Sequence, residues 1–302
     1  MLRFLPGPVR GVLAILLHVL LVMVLFFYIL ALAPFQYLIP ARAWRDFFTR
    51  RYRQIPGAWN FVSDAVLANL TKLKIRIQQN ASVSKLQSYI VLANHQTWAD
   101  IMIVQRAIGR IASPSVYMMK RELVWFPFLG QGCYLLGFPM MRRFSKAYLE
   151  KHPKKRGLDV KSTRKSCERY RRFPVSLVSF IEGTRYTQEK HDRQGSPYRH
   201  LLKPRAGGLA HALSAMGDQV KAFLDVTVVY QGGRSSIWEL FTGKAREVCV
   251  NIDLRPIADF LRGDYDNDKH YREVFQRWVN ELWSEKDRLI GEISARLNQT
   301  PV

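Results

Sequence analysis

The sequence predicts an α/β fold: a central, mostly parallel sheet flanked by helices, preceded by a membrane-crossing helix. Three observations lead to this. Short apolar runs of strand length alternate with longer stretches of helical spacing. One run, Tyr89 to Ala93, is apolar without interruption, as a strand covered on both faces is. Near the N-terminus, Gly11 to Ala33 contains no Asp, Glu, Lys or Arg.

That N-terminal stretch, as a helix, is roughly 35 Å long, enough for a hydrocarbon core of ~30 Å. His18 lies inside it and is tolerable there as a neutral imidazole. The competing reading is a cleaved signal peptide, with Ala31-Leu32-Ala33 resembling a cleavage site. Pro34 follows, however, and the apolar run exceeds the usual signal core. An uncleaved anchor over residues 1–40 is therefore expected. Arg42, Arg45, Arg50, Arg51 and Arg53 follow the span, against Arg3 and Arg10 before it, so the body is expected on the cytoplasmic side. In a bacterium this would be the inner membrane. Pro34 and Pro40 bracket Phe35 to Ile39, a short apolar piece that lies in the interface or returns as a partial hairpin.

Residues 41–71 read as basic amphipathic helices, either at the headgroup level or packed on the domain. Trp44, Phe47, Phe48 and Tyr52 stand among arginines there. Residues 72–302 form one large domain. Its first strand has Leu73, Ile75 and Ile77 alternating with Lys72, Lys74 and Arg76. Further strands are expected at Val116–Met119, Val175–Ile181, Phe223–Tyr230 and Val248–Ile252. Helices are expected at Trp98–Gly109, Lys146–Arg172 and Gly207–Met216. A long C-terminal helix carries Tyr271, Phe275, Trp278, Leu282, Leu289 and Ile293 at helical spacing.

The formal net charge of +22 points to anionic partners: nucleic acid, a phospholipid surface or phosphorylated small molecules. No nucleic-acid-binding signature accompanies the charge, so nucleic acid is not expected. Thirteen Lys or Arg crowd into residues 142–172, against Glu150, Asp159 and Glu168. A solvated face, attraction to anionic lipid and steering of an anionic donor all fit that stretch. The three cysteines, Cys133, Cys167 and Cys249, are far apart and show neither zinc spacing nor a disulfide framework. A reducing compartment and metal-independent chemistry are expected.

Two motifs carry chemistry. The first is Asn94-His95-Gln96-Thr97-Trp98-Ala99-Asp100, between a strand and an apolar run. With His95 in the turn and Asp100 in the first helical turn, the carboxylate reaches back to fix the imidazole tautomer. Such a base, with an ordinary pKa near 6.5, takes a proton from an alcohol attacking a carbonyl. A capping box, Thr97-x-x-Asp100, explains the same spacing without catalysis. The second motif is Phe180-Ile181-Glu182-Gly183-Thr184-Arg185 at a strand end. There a glycine lets backbone approach a ligand, and Arg185 offers a fork that matches phosphate oxygens. Around Pro127, the cluster Trp125, Phe126, Phe128, Tyr134, Leu135 and Leu136 is either core packing or an acyl groove or bilayer-dipping surface.

These pieces together resemble the lysophosphatidic acid acyltransferase family of NHxxxxD glycerolipid acyltransferases, in its branch with a long C-terminal extension. Its first block is met by Asn94 to Asp100. Its third, FPEGTR, is met by Phe180 to Arg185 with Ile181 in place of Pro. Gly137-Phe138-Pro139-Met140-Met141-Arg142-Arg143 approximates the second block but lacks its usual Phe-Ile-Asp-Arg ending. Lys120 to Leu123, Pro127 to Gly130, Leu202-Lys203-Pro204-Arg205, Leu224 to Thr227 and Trp283 to Asp287 resemble flanking segments. The resemblance implies that His95 is the base and Asp100 its partner. Lys120, Arg143 and Arg185 would hold the acceptor's phosphate, with Glu182, Gly183 and Thr184 shaping that site. It implies acyl-CoA or acyl-ACP as donor, a lysophospholipid acceptor, no cofactor, and a phospholipid membrane as partner. The alternatives are another lysophospholipid headgroup, or a non-catalytic protein binding anionic lipid.

Overall fold

A computed structural model describes residues 2–141 and 173–299. Its strands are β1 (Lys74–Gln79), β2 (Ser88–Ala93), β3 (Ser115–Tyr117), β4 (Met119–Lys120), β5 (Met140–Met141), β6 (Ser176–Ser179), β7 (Val220–Tyr230) and β8 (Glu247–Pro256). Six of them form one sheet in the order β1-β8-β7-β2-β6-β3, and β4 pairs with β5 in a separate ladder. Every neighbouring pair in the large sheet is parallel except β7 with β8. The mostly parallel α/β prediction therefore holds. β2 is buried at every residue, as its unbroken apolar run requires. β1 is an edge strand and is largely exposed, Ile77 included, so its alternation buries less than the pattern suggests.

Ten helices accompany the sheet among the described residues: α1 (Gly7–Leu32), α2 (Phe35–Leu38), α3 (Arg42–Tyr52), α4 (Ile55–Leu70), α5 (Ala99–Ile108), α6 (Leu129–Leu135), α7 (Gln188–Gln194), α8 (Ala206–Met216), α9 (Ile237–Thr242) and α10 (Lys269–Gln299). The helices expected over residues 41–71 are two, α3 and α4. The chain breaks at Arg53-Gln54, ahead of Pro56, which suits a first helical turn and not an interior. The expected strand Val116–Met119 is split between β3 and β4. The expected helix Lys146–Arg172 lies outside the described residues.

Two cores result, one on each face of the sheet. Ile90 and Leu92 of β2 point to the face covered by α8 and α10. Tyr89, Val91 and Ala93 point to the face covered by α1, α4, α5 and α9. This is the period-two alternation of a strand between two helical layers.

α1 is long and apolar enough to cross a membrane. It is also docked on the domain by one stripe. Gly11, Ala14, His18 and Ile29 are buried, while Val12, Leu16, Val19, Leu20, Val24 and Phe27 are exposed. Gly11 fits because a Cβ there would lie 2.7 Å from the Trp238 ring of α9. His18 bonds Ser63 of α4 and stacks on Phe241 of α9. Farther along, Phe26 and Phe27 meet Phe128 at the start of α6. The cluster around Pro127 is not core: Trp125 is 84% exposed, and Phe126 and Tyr134 are each 60% exposed.

Candidate active site

The site forms where the parallel strands end. His95 follows β2, Glu182 follows β6, and Tyr230 is the last residue of β7. In parallel sheets this edge is where loops converge on ligands. Asn94 fixes the turn after β2. Its side-chain amide donates to the Val228 carbonyl (2.9 Å) and accepts from the Val228 N–H (2.8 Å), so the loop is tied to β7 through buried bonds.

His95 Nδ1 lies 3.0 Å from Asp100 Oδ2. Asp100 is fully buried at the start of α5. The same oxygen accepts from the backbone N–H of Gln96 (2.6 Å) and of Thr97 (2.7 Å). Asp100 Oδ1 accepts from the Tyr230 hydroxyl at 2.8 Å. An acceptor-only carboxylate fixes the proton of His95 on Nδ1 and leaves the Nε2 lone pair free. Only half of the expected capping box forms: Asp100 returns to the Thr97 N–H, but Thr97 Oγ1 accepts from the Ala99 N–H, and the helix starts after Trp98 without a side-chain cap. Holding the turn's backbone and orienting the histidine are thus two jobs of one carboxylate. The helix begins two residues later than Thr97, which leaves the turn long enough for the imidazole to fold back on Asp100.

The FIEGTR loop clamps His95 from the other side. Glu182 Oε1 accepts from the His95 N–H (2.8 Å), and the His95 carbonyl accepts from the Tyr186 N–H (2.8 Å). The Phe180 ring stacks on the imidazole, centroids 4.1 Å apart. Gly183 closes the turn at φ 75°, a left-handed conformation that glycine adopts without a Cβ clash. Glu182 Oε2 accepts from the Leu202 N–H (3.0 Å), and the Ile181 carbonyl accepts from the Arg205 N–H (2.8 Å). Leu202-Lys203-Pro204-Arg205 therefore backs the loop.

Glu182, expected to help shape the phosphate site, is buried with its two oxygens on the backbone N–H groups of His95 and Leu202. Its place is behind His95. Burial pushes its carboxyl up to about 8, against the pull of the two backbone bonds and the Lys286 charge. Arg185 is exposed, its guanidinium 4.8 Å from the ring of Trp98 on the neighbouring loop. Thr184 Oγ1 accepts from Lys190 Nζ (3.0 Å), which also bonds the Arg185 carbonyl. Lys120 stands on the β4–β5 ladder, opposite Met141. Arg143 lies outside the described residues. Tyr230, Phe180 as a stacking partner, and Lys190 carried no sequence signal; only the sheet order and the loop path bring Tyr230 to Asp100, Phe180 to His95 and Lys190 to Thr184.

A family model described as Acyltransferase matches residues 74–231, just over half of the chain. The chain belongs to the acyltransferase family. The match spans both motifs, His95 to Asp100 and Phe180 to Arg185, and marks the protein as an enzyme of acyl transfer. The chain is 26% identical over 279 residues to the mouse 1-acyl-sn-glycerol-3-phosphate acyltransferase epsilon, covering 84% of this chain and 70% of that protein. It is 23% identical to the Arabidopsis thaliana 1-acyl-sn-glycerol-3-phosphate acyltransferase 3, covering 71% of this chain and 57% of that protein. It is 24% identical to the Saccharomyces cerevisiae 2-acyl-1-lysophosphatidylinositol acyltransferase, covering 67% of this chain and 60% of that protein. The chain thus spans less than two thirds of the plant and yeast relatives.

Proposed function

We propose that this protein is a membrane-bound O-acyltransferase that moves a fatty acyl group from acyl-CoA or acyl-ACP to the free hydroxyl of a lysophospholipid. The preferred acceptor is 1-acylglycerol-3-phosphate, giving phosphatidic acid. The observation that carries this reading is the His95–Asp100 pair at the open end of the parallel strands.

His95 Nε2 takes the proton of the acceptor hydroxyl as its oxygen attacks the thioester carbonyl carbon. Asp100, bonded at Nδ1, stabilises the imidazolium that forms. The tetrahedral intermediate collapses, the C–S bond breaks, and the thiolate takes the proton back from His95. General-base help of this kind contributes ~10²–10⁴ in rate. The route needs no acyl-enzyme, metal or cofactor. Arg185 binds the acceptor's phosphate beside Thr184 and Lys190, with Lys120 and Arg143 as further cations.

The exposed face of α1 seats the protein in the bilayer, and the elements docked on its other face go to the membrane with it. The arginines of α3 favour the cytoplasmic leaflet.

The test is transfer of labelled oleoyl-CoA to lysophosphatidic acid by the purified protein. His95→Ala is expected to abolish product while the protein stays folded and membrane-bound. Equal product from the variant would remove His95 as the base. Tight vesicle binding without transfer by the wild type would point instead to a lipid-binding protein.

A second acceptor class is favoured by two observations. Met140-Met141-Arg142-Arg143 replaces the family's acidic ending, and a yeast relative is named for lysophosphatidylinositol. A panel of lysolipids differing in headgroup separates the two.

A further inference from the structure

The apolar stripe of α10 is interrupted by one charge. Tyr271, Phe275, Val279, Leu282, Trp283, Ile290 and Ile293 are buried along it, and Lys286, in the same stripe, is as buried as they are. Lysine is almost never fully buried unless it is paired. Here the opposing strand supplies the pair. Positions 223 and 229 of β7 present Phe and Val to this core, but 225 and 227, between them, are Asp and Thr.

Lys286 Nζ lies 2.5 Å from Asp225 Oδ1, and donates to the Val226 carbonyl at 2.8 Å and to Thr227 Oγ1 at 3.1 Å. Asp225 continues outward to Arg255 (3.1 Å), and Arg255 to Glu285 (2.9 Å). Lys286 also reaches the Leu92 carbonyl at 3.4 Å, three residues before His95. The ammonium therefore sits across β2 and β7 just below the catalytic turn. One helical turn earlier, Trp283 Nε1 donates to the Leu202 carbonyl at 3.1 Å. The N–H of Leu202 bonds Glu182, which holds the His95 N–H. The same helix face thus grips both supports of His95: the strand that leads to it and the loop that clamps it.

Packing alone does not call for this charge. Buried ion pairs are often replaced by apolar groups of similar volume without loss of stability. We propose that Lys286 is a positioning residue for acyl transfer: its ammonium, paired with Asp225, locks β2, β7 and α10 into the register that places His95 between Asp100 and Glu182. This rests on His95 acting as the base. Displacing a catalytic group by about 1 Å from a distant site lowers turnover by as much as 10²-fold.

The experiment compares Lys286→Met, the double variant Lys286→Met/Asp225→Asn, Glu182→Gln and Lys286→Met/Glu182→Gln with wild type and His95→Ala. Each is assayed for kcat and for KM toward both substrates, and each is melted. The double variant with Asp225→Asn removes both charges, so it keeps the test open if Lys286→Met alone fails to fold. The expected result is a kcat lowered about tenfold to 100-fold, with KM within about twofold of wild type. The combination with Glu182→Gln is expected to be no slower than the slower of its two single variants, because both act on the same turn. A folded charge-free variant with wild-type kcat overturns the proposal, as do effects that simply multiply. Loss of activity in His95→Ala beside wild-type kcat in the charge-free variant sinks this inference and leaves the base assignment standing. Wild-type activity in His95→Ala sinks the base assignment itself.

Discussion

The two oxygens of Asp100 take four hydrogen bonds, and the one from Tyr230 holds the oxygen that faces away from His95. Removing it leaves Asp100 Oδ1 buried without that donor, at a cost of about 1–3 kcal/mol. Tyr230→Phe is therefore expected to lower kcat about tenfold with KM unchanged, read in the transfer assay. Wild-type kcat in that variant would make the bond incidental. Glu182 gives a pH signature. Its ordinary value is 4.5, and burial lifts it to about 8 in the folded protein. Between those values the folded state holds a proton that the unfolded state has lost. Its contribution to stability is therefore complete below about pH 4.5 and is lost as pH rises toward 8. Glu182→Gln cannot titrate. The melting temperature of the wild type should fall relative to that variant between pH 5 and pH 8.5, and parallel curves would contradict it. At this scale the sequence was informative where partners are close in the chain. His95 and Asp100 are five residues apart, and one turn brings them together. Tyr230 is 130 residues from Asp100, and no local pattern marks it.

Strand and helix identities were readable because burial leaves a periodic record. The unbroken apolar run of β2, the helical spacing of α10 and the glycine after β6 all fall where their chemistry predicts. What periodicity does not contain is the point where an element stops. The helical stretch expected over residues 41–71 breaks at Arg53-Gln54, a point that no periodicity marks, and the strand expected at Val116–Met119 divides between two ladders. Asn94 shows how such an end is made. Its amide satisfies both backbone groups of Val228 and so fixes where β2 stops and the His95 turn begins. Asn94→Ala leaves that N–H and carbonyl without their partner, and is expected to lower stability by about 2–3 kcal/mol in a denaturant melt. A loss below about 0.5 kcal/mol would show that the turn holds by other bonds.

At the scale of the whole molecule, the described residues present two unlike surfaces. At one end, strands converge on a charged, hydrogen-bonded site. Along α1, Leu16 and Leu20 are 59% and 56% exposed, part of an apolar face on the helix that carries His18 and Gly11 inward. Because these side chains touch little of the protein, Leu16→Lys/Leu20→Lys should leave the melting temperature within a few degrees of wild type. It should also release much of the protein from phosphatidic-acid-containing vesicles in a flotation assay. Undiminished flotation would mean that another surface holds the membrane. The sequence by itself determined the α/β class, the apolar helix and the two motifs, because each is written in neighbouring residues under one local rule. Only the tertiary structure decided which groups surround His95. That depends on the strand order, which sets β7 beside β2 and lays α10 across both, and contacts between segments far apart in the chain leave no periodic trace in it.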